Sequence, residues 1–258
     1  MMSSSNFSGP RKVAVINYKG GTGKTSTVVN LAHGLALAGR RVLIVDTDPQ
    51  GSSGYHLGVE SDKSLYDVLI ENRDLDDCIV HARPNLDIII ANERLFPAEI
   101  SLSRMDNREF LLGQRLAPIE RRYDFIILDC APSINVLNQN ALIYSDEIFL
   151  PVSMEYLALV GIRQLLNNTR IINKIFKKDI TVTKLIPTFI DRRKKKSATV
   201  LKSLTRVFES VISTHIRSCV SVAEASGARQ TIFEYAPKSK GAEDYGALTQ
   251  EVLNECRN

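Results

Sequence analysis

The sequence predicts an α/β fold, a mostly parallel twisted sheet flanked by helices on both faces. Strand-like apolar runs recur at 13–17, 41–46, 86–90, 123–129, 146–152 and 182–188, and the intervals between them carry mostly helical periodicity. A glycine-rich turn joins the first run to the first helical pattern, the connection that open parallel sheets use at their ligand-binding edge.

Val13-Ala14-Val15-Ile16 has no polar member, as expected of a strand buried on both faces. After Asn17-Tyr18 comes Lys19-Gly20-Gly21-Thr22-Gly23-Lys24-Thr25-Ser26. This run fits the phosphate-cradling pattern Gly-x-x-x-x-Gly-Lys-Ser/Thr, with lysine in place of the first glycine. Glycines let consecutive backbone N–H groups turn toward phosphate oxygens, because no Cβ blocks the approach. In such a site Lys24 reaches the β- and γ-phosphates and the Thr25 hydroxyl holds Mg²⁺. Lys19 adds a second cation that ordinary phosphate loops lack. Val28, Leu31, Ala32, Leu35 and Ala38 then recur at helical spacing, and Gly39 stands where a helix stops.

Arg41-Val42-Leu43-Ile44-Val45-Asp46 is the next strand, and Asp46-Thr47-Asp48-Pro49-Gln50-Gly51 leaves its carboxyl end. Two carboxylates around one residue suit a solvated turn; beside a phosphate loop they suit holding Mg²⁺ waters or the attacking water. Ser64-x-x-Asp67 reads as a capping box opening a short helix. Residues 92–106 are ambiguous by pattern and are assigned to no element. Tyr123-Asp124-Phe125-Ile126-Ile127-Leu128-Asp129 is an apolar strand ending in a carboxylate, the Walker B pattern, which brings Asp129 to Mg²⁺. Cys130-Ala131-Pro132-Ser133 makes a tight exit from it.

With 258 residues and 44% hydrophobic content, the chain is long enough for one large domain, assigned to 11–258 behind a Ser-rich, flexible tail at 1–10. The net charge of +4 leaves nucleic-acid affinity to local clustering. Four scattered cysteines, with no Cys-x-x-Cys pair, point to a reducing cytosol and away from a disulfide framework or zinc site. No signal peptide and no bilayer-spanning stretch is read. The stretch before Val13 is too short for a helix-turn-helix, so operator-specific repression is not expected.

Lys19-Gly20-Gly21-x-Gly23-Lys24-Thr25, Asp46-x-Asp48-Pro49-Gln50 and Asp129-x-x-Pro132-Ser133 together resemble the ParA/MinD group of deviant Walker ATPases, nearest the small chromosomal-type ParA proteins. Asn140-Ala141-Leu142, Pro151-Val152, Glu155-Tyr156-Leu157-Ala158-Leu159-x-Gly161, Ala223-Glu224-Ala225 and Lys240-Gly241-Ala242-x-x-Tyr245 extend the resemblance over nearly the whole chain. It implies a P-loop fold and an ATP-sandwich homodimer in which Lys19 crosses to the partner's phosphates. It further implies that Lys24 holds the nucleotide and that Asp48 orients the hydrolytic water, with Thr25, Asp48 and Asp129 around Mg²⁺. ATP hydrolysis would be slow until stimulated by DNA and by a ParB-like or other cargo adaptor. The protein would be cytoplasmic and nucleoid-associated, and would partition or position a plasmid, chromosome origin or protein organelle. Two departures stand out: Ser52-Ser53 where the family usually carries Asn, and Arg217-Ser218-Cys219-Val220-Ser221 where it carries Pro-Arg-Asn-x-Arg.

Arg192-Arg193-Lys194-Lys195-Lys196 is the densest charge run. It leads into a helix with Val200, Leu201, Leu204, Val207, Phe208, Val211 and Ile212 on its apolar side and Lys202 and Arg206 one turn apart opposite. With no aromatic interleaved, the pattern suits sequence-independent attraction to double-stranded DNA rather than stacking on single strands. Arg193 matches a DNA-contacting arginine of ParA proteins, and Arg217 is a candidate substitute for the arginine missing at Ser221. Two other classes compete. A MinD-like membrane-associated ATPase needs a basic amphipathic carboxyl-terminal helix, whereas 241–258 mixes Glu243, Asp244, Glu251 and Glu255 with few large apolar residues. An electron-transfer ATPase like nitrogenase iron protein needs cysteines placed to bridge an Fe–S cluster, and only Cys130 lies near the site.

Overall fold

Six of the seven strands in the computed structural model are the apolar runs read from the sequence; residues 9–155, 158–191 and 195–256 are described. They are β1 (Arg11–Val15), β2 (Val42–Asp46), β4 (Leu86–Ile89), β5 (Phe125–Asp129), β6 (Glu147–Ser153) and β7 (Thr181–Thr188). The seventh, β3 (Ile79–Arg83), pairs antiparallel with β4 at one edge. The spatial order is β3-β4-β2-β5-β1-β6-β7, and every pairing other than β3–β4 is parallel.

This order makes β1 the strand from which the chain turns both ways, toward β2 through β5 and later outward to β6 and β7. Ligands of open α/β sheets bind at the carboxyl ends of strands at such a switch point. β1 starts earlier than the apolar pattern and stops at Val15, which releases Ile16 and Asn17 to begin the glycine turn.

The strands are apolar on both sides because both sides are covered. Ala14, Ile126 and Leu128 face one core layer, while Val13, Val15, Phe125 and Ile127 face the other. Each fully buried aliphatic side chain contributes about 1.5–3 kcal/mol of transfer free energy. The first layer is covered by α5 (Leu95–Ser103), α6 (Leu111–Leu116), α7 (Val136–Tyr144), α8 (Ala158–Phe176) and α9 (Lys195–Phe208), with the short α3 (Leu65–Leu69) and α4 (Leu75–Cys78) at its rim. The second is covered by α1 (Lys24–Leu37), α2 (Ser52–Leu57), α10 (Val220–Gly227), α11 (Ile232–Tyr235) and α12 (Lys240–Glu255).

α1 ends as its spacing predicts. Arg40 N–H donates to Leu35 O (3.1 Å) and Gly39 N–H to Ala36 O (2.9 Å), around a Gly39 φ of 82° that closes a Schellman turn. The capping box at Ser64 and Asp67 is present. Residues 92–106 contain α5, whose Leu95, Ala98 and Leu102 are buried. The apolar face of α12 is occupied by the core, with Tyr245, Leu248 and Val252 buried. Among the described residues no helix is long and apolar enough to cross a membrane.

Candidate functional site

The glycine turn leaves β1 and caps α1, and it is fastened at three places. Asn17, buried, donates Nδ2 to Pro151 O (2.8 Å) at the end of β6 and accepts the Lys19 N–H on Oδ1 (3.0 Å). Thr188, the last residue of β7, donates its hydroxyl to Thr22 O (2.9 Å). Gly21 and Gly23 have φ of 69° and 85°, the left-handed region that a residue with a Cβ enters only at a cost, so this shape requires glycine at both. The loop is therefore preformed by long-range contacts as well as by its own glycines.

Lys24 begins α1 with its side chain buried, and burial pushes its ammonium pKa down against the opposing pull of Asp129 and Asp48. Thr25 and Ser26, half-buried, follow on the same first turn. The nearby Thr25 hydroxyl favours the charged form of the Asp129 carboxylate. Lys19 is ion-paired with Glu155, just beyond β6.

Opposite the loop, β2 and β5 end in register with Asp46 beside Asp129. Asp46 Oδ1 accepts the Asp48 N–H (3.0 Å) and Asp46 Oδ2 the Ser53 N–H (3.0 Å). Asp129 Oδ2 accepts the Ser53 hydroxyl (2.8 Å), whereas Asp129 Oδ1 is buried and takes no hydrogen bond from the described residues. Burial pushes both carboxyls up, Asp129 to about 6; the Asp129 charge raises Asp46 further, and the Asp48 charge raises Asp129. Asp48 is half-buried and accepts the Gln50 N–H (3.0 Å) in a local turn, and its charge is felt at Lys24. The exit after Asp129 is held by Asn138, whose Nδ2 donates to Ala131 O (2.8 Å) and Ser133 O (2.5 Å).

Lys24, Thr25, Asp48 and Asp129, read from separate stretches of sequence, thus converge at one end of the sheet. An orphaned carboxylate oxygen, a hydroxyl and further carboxylates form a hard-oxygen set that fits Mg²⁺, and a buried ammonium behind glycine N–H groups fits a polyphosphate. Asn17, Asp46, Ser53, Glu155 and Thr188 complete the arrangement; of these, only Asp46 lay in a motif as a carboxylate with a role. Cys130 is fully buried and its thiol is pushed upward by burial, so it is an inert core group.

The basic face is only partly placed. Lys202 and Arg206 are exposed on α9 while Val200 and Leu204 are buried beneath them. Val207, expected on the apolar side, is 66% exposed, two turns along α9 from the buried Val200 and next to the helix end at Phe208. Arg192, Arg193 and Lys194 lie outside the described residues, as do the side chains of Lys195 and Lys196. Arg217 is ion-paired within its own chain. Its guanidinium donates to Asp244 (2.6 and 2.9 Å) and Glu243 (2.5 Å), and those bonds raise its pKa and neutralise its charge locally.

A parallel sheet whose switch-point strand feeds a glycine turn, a buried lysine and a facing aspartate defines a P-loop nucleotide hydrolase. The sequence model of the family described as "AAA domain" matches residues 10–182. The chain is 40% identical to the sporulation initiation inhibitor protein Soj of Bacillus subtilis over 93% of its length and 97% of that protein's. It is 34% identical to the chromosome partitioning protein ParA of Myxococcus xanthus, over 94% of this chain and 88% of that one. The crystal structure of cobyrinic acid a,c-diamide synthase from Mycobacterium smegmatis with bound ADP and magnesium superposes with a TM-score of 0.84 at 31% identity, covering 96% of both chains. The chain belongs to the ParA/MinD-type family of P-loop ATPases, on its Soj and ParA side.

Proposed function

We propose that this protein is a partition ATPase that binds ATP with Mg²⁺, dimerises around the nucleotide, holds double-stranded DNA without sequence preference, and lets go on hydrolysis. The observation that carries this reading is Lys19, a second cation set ahead of a glycine turn that already has Lys24. A single phosphate loop needs one lysine; a loop facing a copy of itself has use for another. The partition reading is favoured over amide synthesis because the Soj and ParA relatives share 40% and 34% identity with the chain.

Lys24 and the N–H groups of Gly20, Gly21, Thr22 and Gly23 hold the phosphates, with Thr25 and Ser26 closing the turn. Bound Mg²⁺ would be held by Thr25, Asp48 and Asp129 and would neutralise charge on the phosphate oxygens. Asp48 orients the water that attacks the terminal phosphorus. Lys19 of each protomer reaches the other's phosphates, where negative charge grows as the bond breaks. An arginine finger in that position is worth roughly 10³–10⁵ in rate. Hydrolysis competence is then tied to dimerisation, and the isolated chain turns over slowly.

The α9 face, led by Arg192, Arg193, Lys194, Lys195 and Lys196 with Lys202 and Arg206, supplies the DNA contacts. Dimerisation doubles it: about 3 phosphates neutralised per protomer become about 6, and affinity falls steeply with salt. ATP thereby switches DNA binding on without altering the patch. The protein works in the cytoplasm on the nucleoid, and a ParB-like or other cargo adaptor triggers its release.

Sedimentation with a non-hydrolysable ATP analogue and Mg²⁺ tests the reading. A shift from protomer to dimer is expected, with duplex DNA bound only by the dimer. Protomers alone at every concentration would overturn it.

A further inference from the structure

We infer that Ser53 is a positioning residue for Asp129: it pins one carboxylate oxygen and leaves the other turned toward the Mg²⁺ of the bound nucleotide. The inference rests on the nucleotide-site reading above and adds a residue to it. Ser53 is fully buried where α2 begins, and it touches both aspartates at the ends of β2 and β5. Its N–H donates to Asp46 Oδ2 (3.0 Å) and its hydroxyl to Asp129 Oδ2 (2.8 Å).

An ionised carboxylate only accepts, so the single hydroxyl proton is committed to Asp129. Asp46 has both oxygens occupied, by the N–H groups of Asp48 and Ser53. Of the four oxygens in this buried pair, the one that accepts no hydrogen bond from the described residues is Asp129 Oδ1, on a carboxylate that also feels the nearby Thr25 hydroxyl. A buried acceptor left this way is costly unless something else satisfies it, and a cation or its water does so.

Ser53 decides which oxygen that is. The terminal torsion of an aspartate is broad and roughly two-fold, so packing alone fixes it poorly. A directed hydroxyl fixes it well. Groups that orient a metal ligand in this manner typically cost about 10–100-fold in metal affinity or activity when removed. A purely structural serine, present only to satisfy a buried carboxylate, would instead change stability and leave the cation's contribution alone.

The two roles separate in a titration of a fluorescent ATP derivative with the full chain, once with Mg²⁺ and once with EDTA. For Ser53→Ala we expect the tightening that Mg²⁺ confers to shrink by about 10-fold or more, with affinity in EDTA unchanged. Ser53→Thr, which keeps the hydroxyl, should recover most of the tightening. Ser53→Cys, close in size but a weak donor, gives the same comparison if the alanine variant does not fold. Equal Mg²⁺ tightening in the variants and the parent chain overturns the inference, as does an equal loss with and without Mg²⁺. If the parent chain itself shows no Mg²⁺-dependent binding of ATP, the nucleotide-site reading is what fails.

Discussion

Lys19 is ion-paired with Glu155 of its own chain, so the cation ahead of the glycine turn is held at home in the protomer. The two side chains are 32% and 55% exposed, and pairs at such exposure contribute about 0.2–1 kcal/mol. The restraint is therefore weak, strong enough to bias Lys19 and too weak to stop it crossing to a partner. Each dimer releases two such pairs, so Glu155→Gln should raise the dimerisation constant of the analogue-bound chain by about 2–30-fold, the equivalent of twice that energy. Lys19→Ala should cost about 10³ or more in stimulated hydrolysis and leave ATP binding intact. Sedimentation and turnover assays read the two effects; a dimerisation constant indifferent to Glu155 would remove the restraint from the account.

Lys24 and Asp48 separate binding from chemistry. Lys24 is buried with its pKa pushed down by burial, and its charge is worth keeping there only opposite an anion. Lys24→Ala should abolish nucleotide binding. Asp48 lies half-buried on a turn of its own, outside the Ser53 contacts. Asp48→Ala should keep the ATP-bound dimer, hold it on DNA and slow hydrolysis by roughly 10²–10⁴, as loss of a group acting on the attacking water does. Normal turnover by that variant would mean another residue orients the water.

The sequence made Lys24, Asp48 and Asp129 legible because each sits in a short local pattern at the end of an apolar run. Ser53, Asn17 and Glu155 were hidden for a different reason. Each acts through a partner far along the chain, at Asp129, Pro151 and Lys19, and a serine or asparagine in a loop carries no mark of that. β3 was missed because Ile79-Val80-His81-Ala82-Arg83 is a half-exposed edge strand and lacks the apolar run of the central strands. α5 was blurred by Pro97, a helix breaker tolerated in a first turn, although the spacing of Leu95, Ala98 and Leu102 was a usable signal.

Arg217 is a charge legible in sequence whose role depends on its neighbours. Asp244 is buried, 7% exposed, and accepts both the Arg217 guanidinium and the Arg217 backbone N–H (2.8 Å). Arg217→Ala should cost about 1–3 kcal/mol of stability by leaving that carboxylate short of donors, with little change in the salt dependence of DNA binding. Lys202→Glu and Arg206→Glu should do the opposite. Each exposed cation lost lowers the slope of log affinity against log salt by about 1, and thermal stability holds. A salt slope that responds to Arg217 and ignores Lys202 and Arg206 would move the DNA face from α9 to the start of α10.

His56 gives the fold a pH dependence of its own. It lies on α2, 2% exposed, with Nε2 buried and unpaired, and burial pushes its pKa down from 6.5 to about 4. The unfolded chain therefore takes up a proton at His56 before the folded chain does. Stability from this residue is complete above pH 6.5 and is lost as pH falls from there toward 4. Between neutral pH and pH 5 the loss is about 2 kcal/mol. Asp129 works in the other direction, since a carboxyl held at about 6 gains a proton on folding as pH falls, and His33, also lowered by burial, works in the same direction as His56. Both contributions are shared by the parent chain and by a His56→Gln variant, so they cancel in the difference between the two. Urea denaturation of both proteins across that range should give profiles that converge by about 2 kcal/mol as pH falls, the variant losing less. Parallel profiles would mean that His56 is protonated as easily in the folded chain as in the unfolded one, and that water reaches its buried nitrogen.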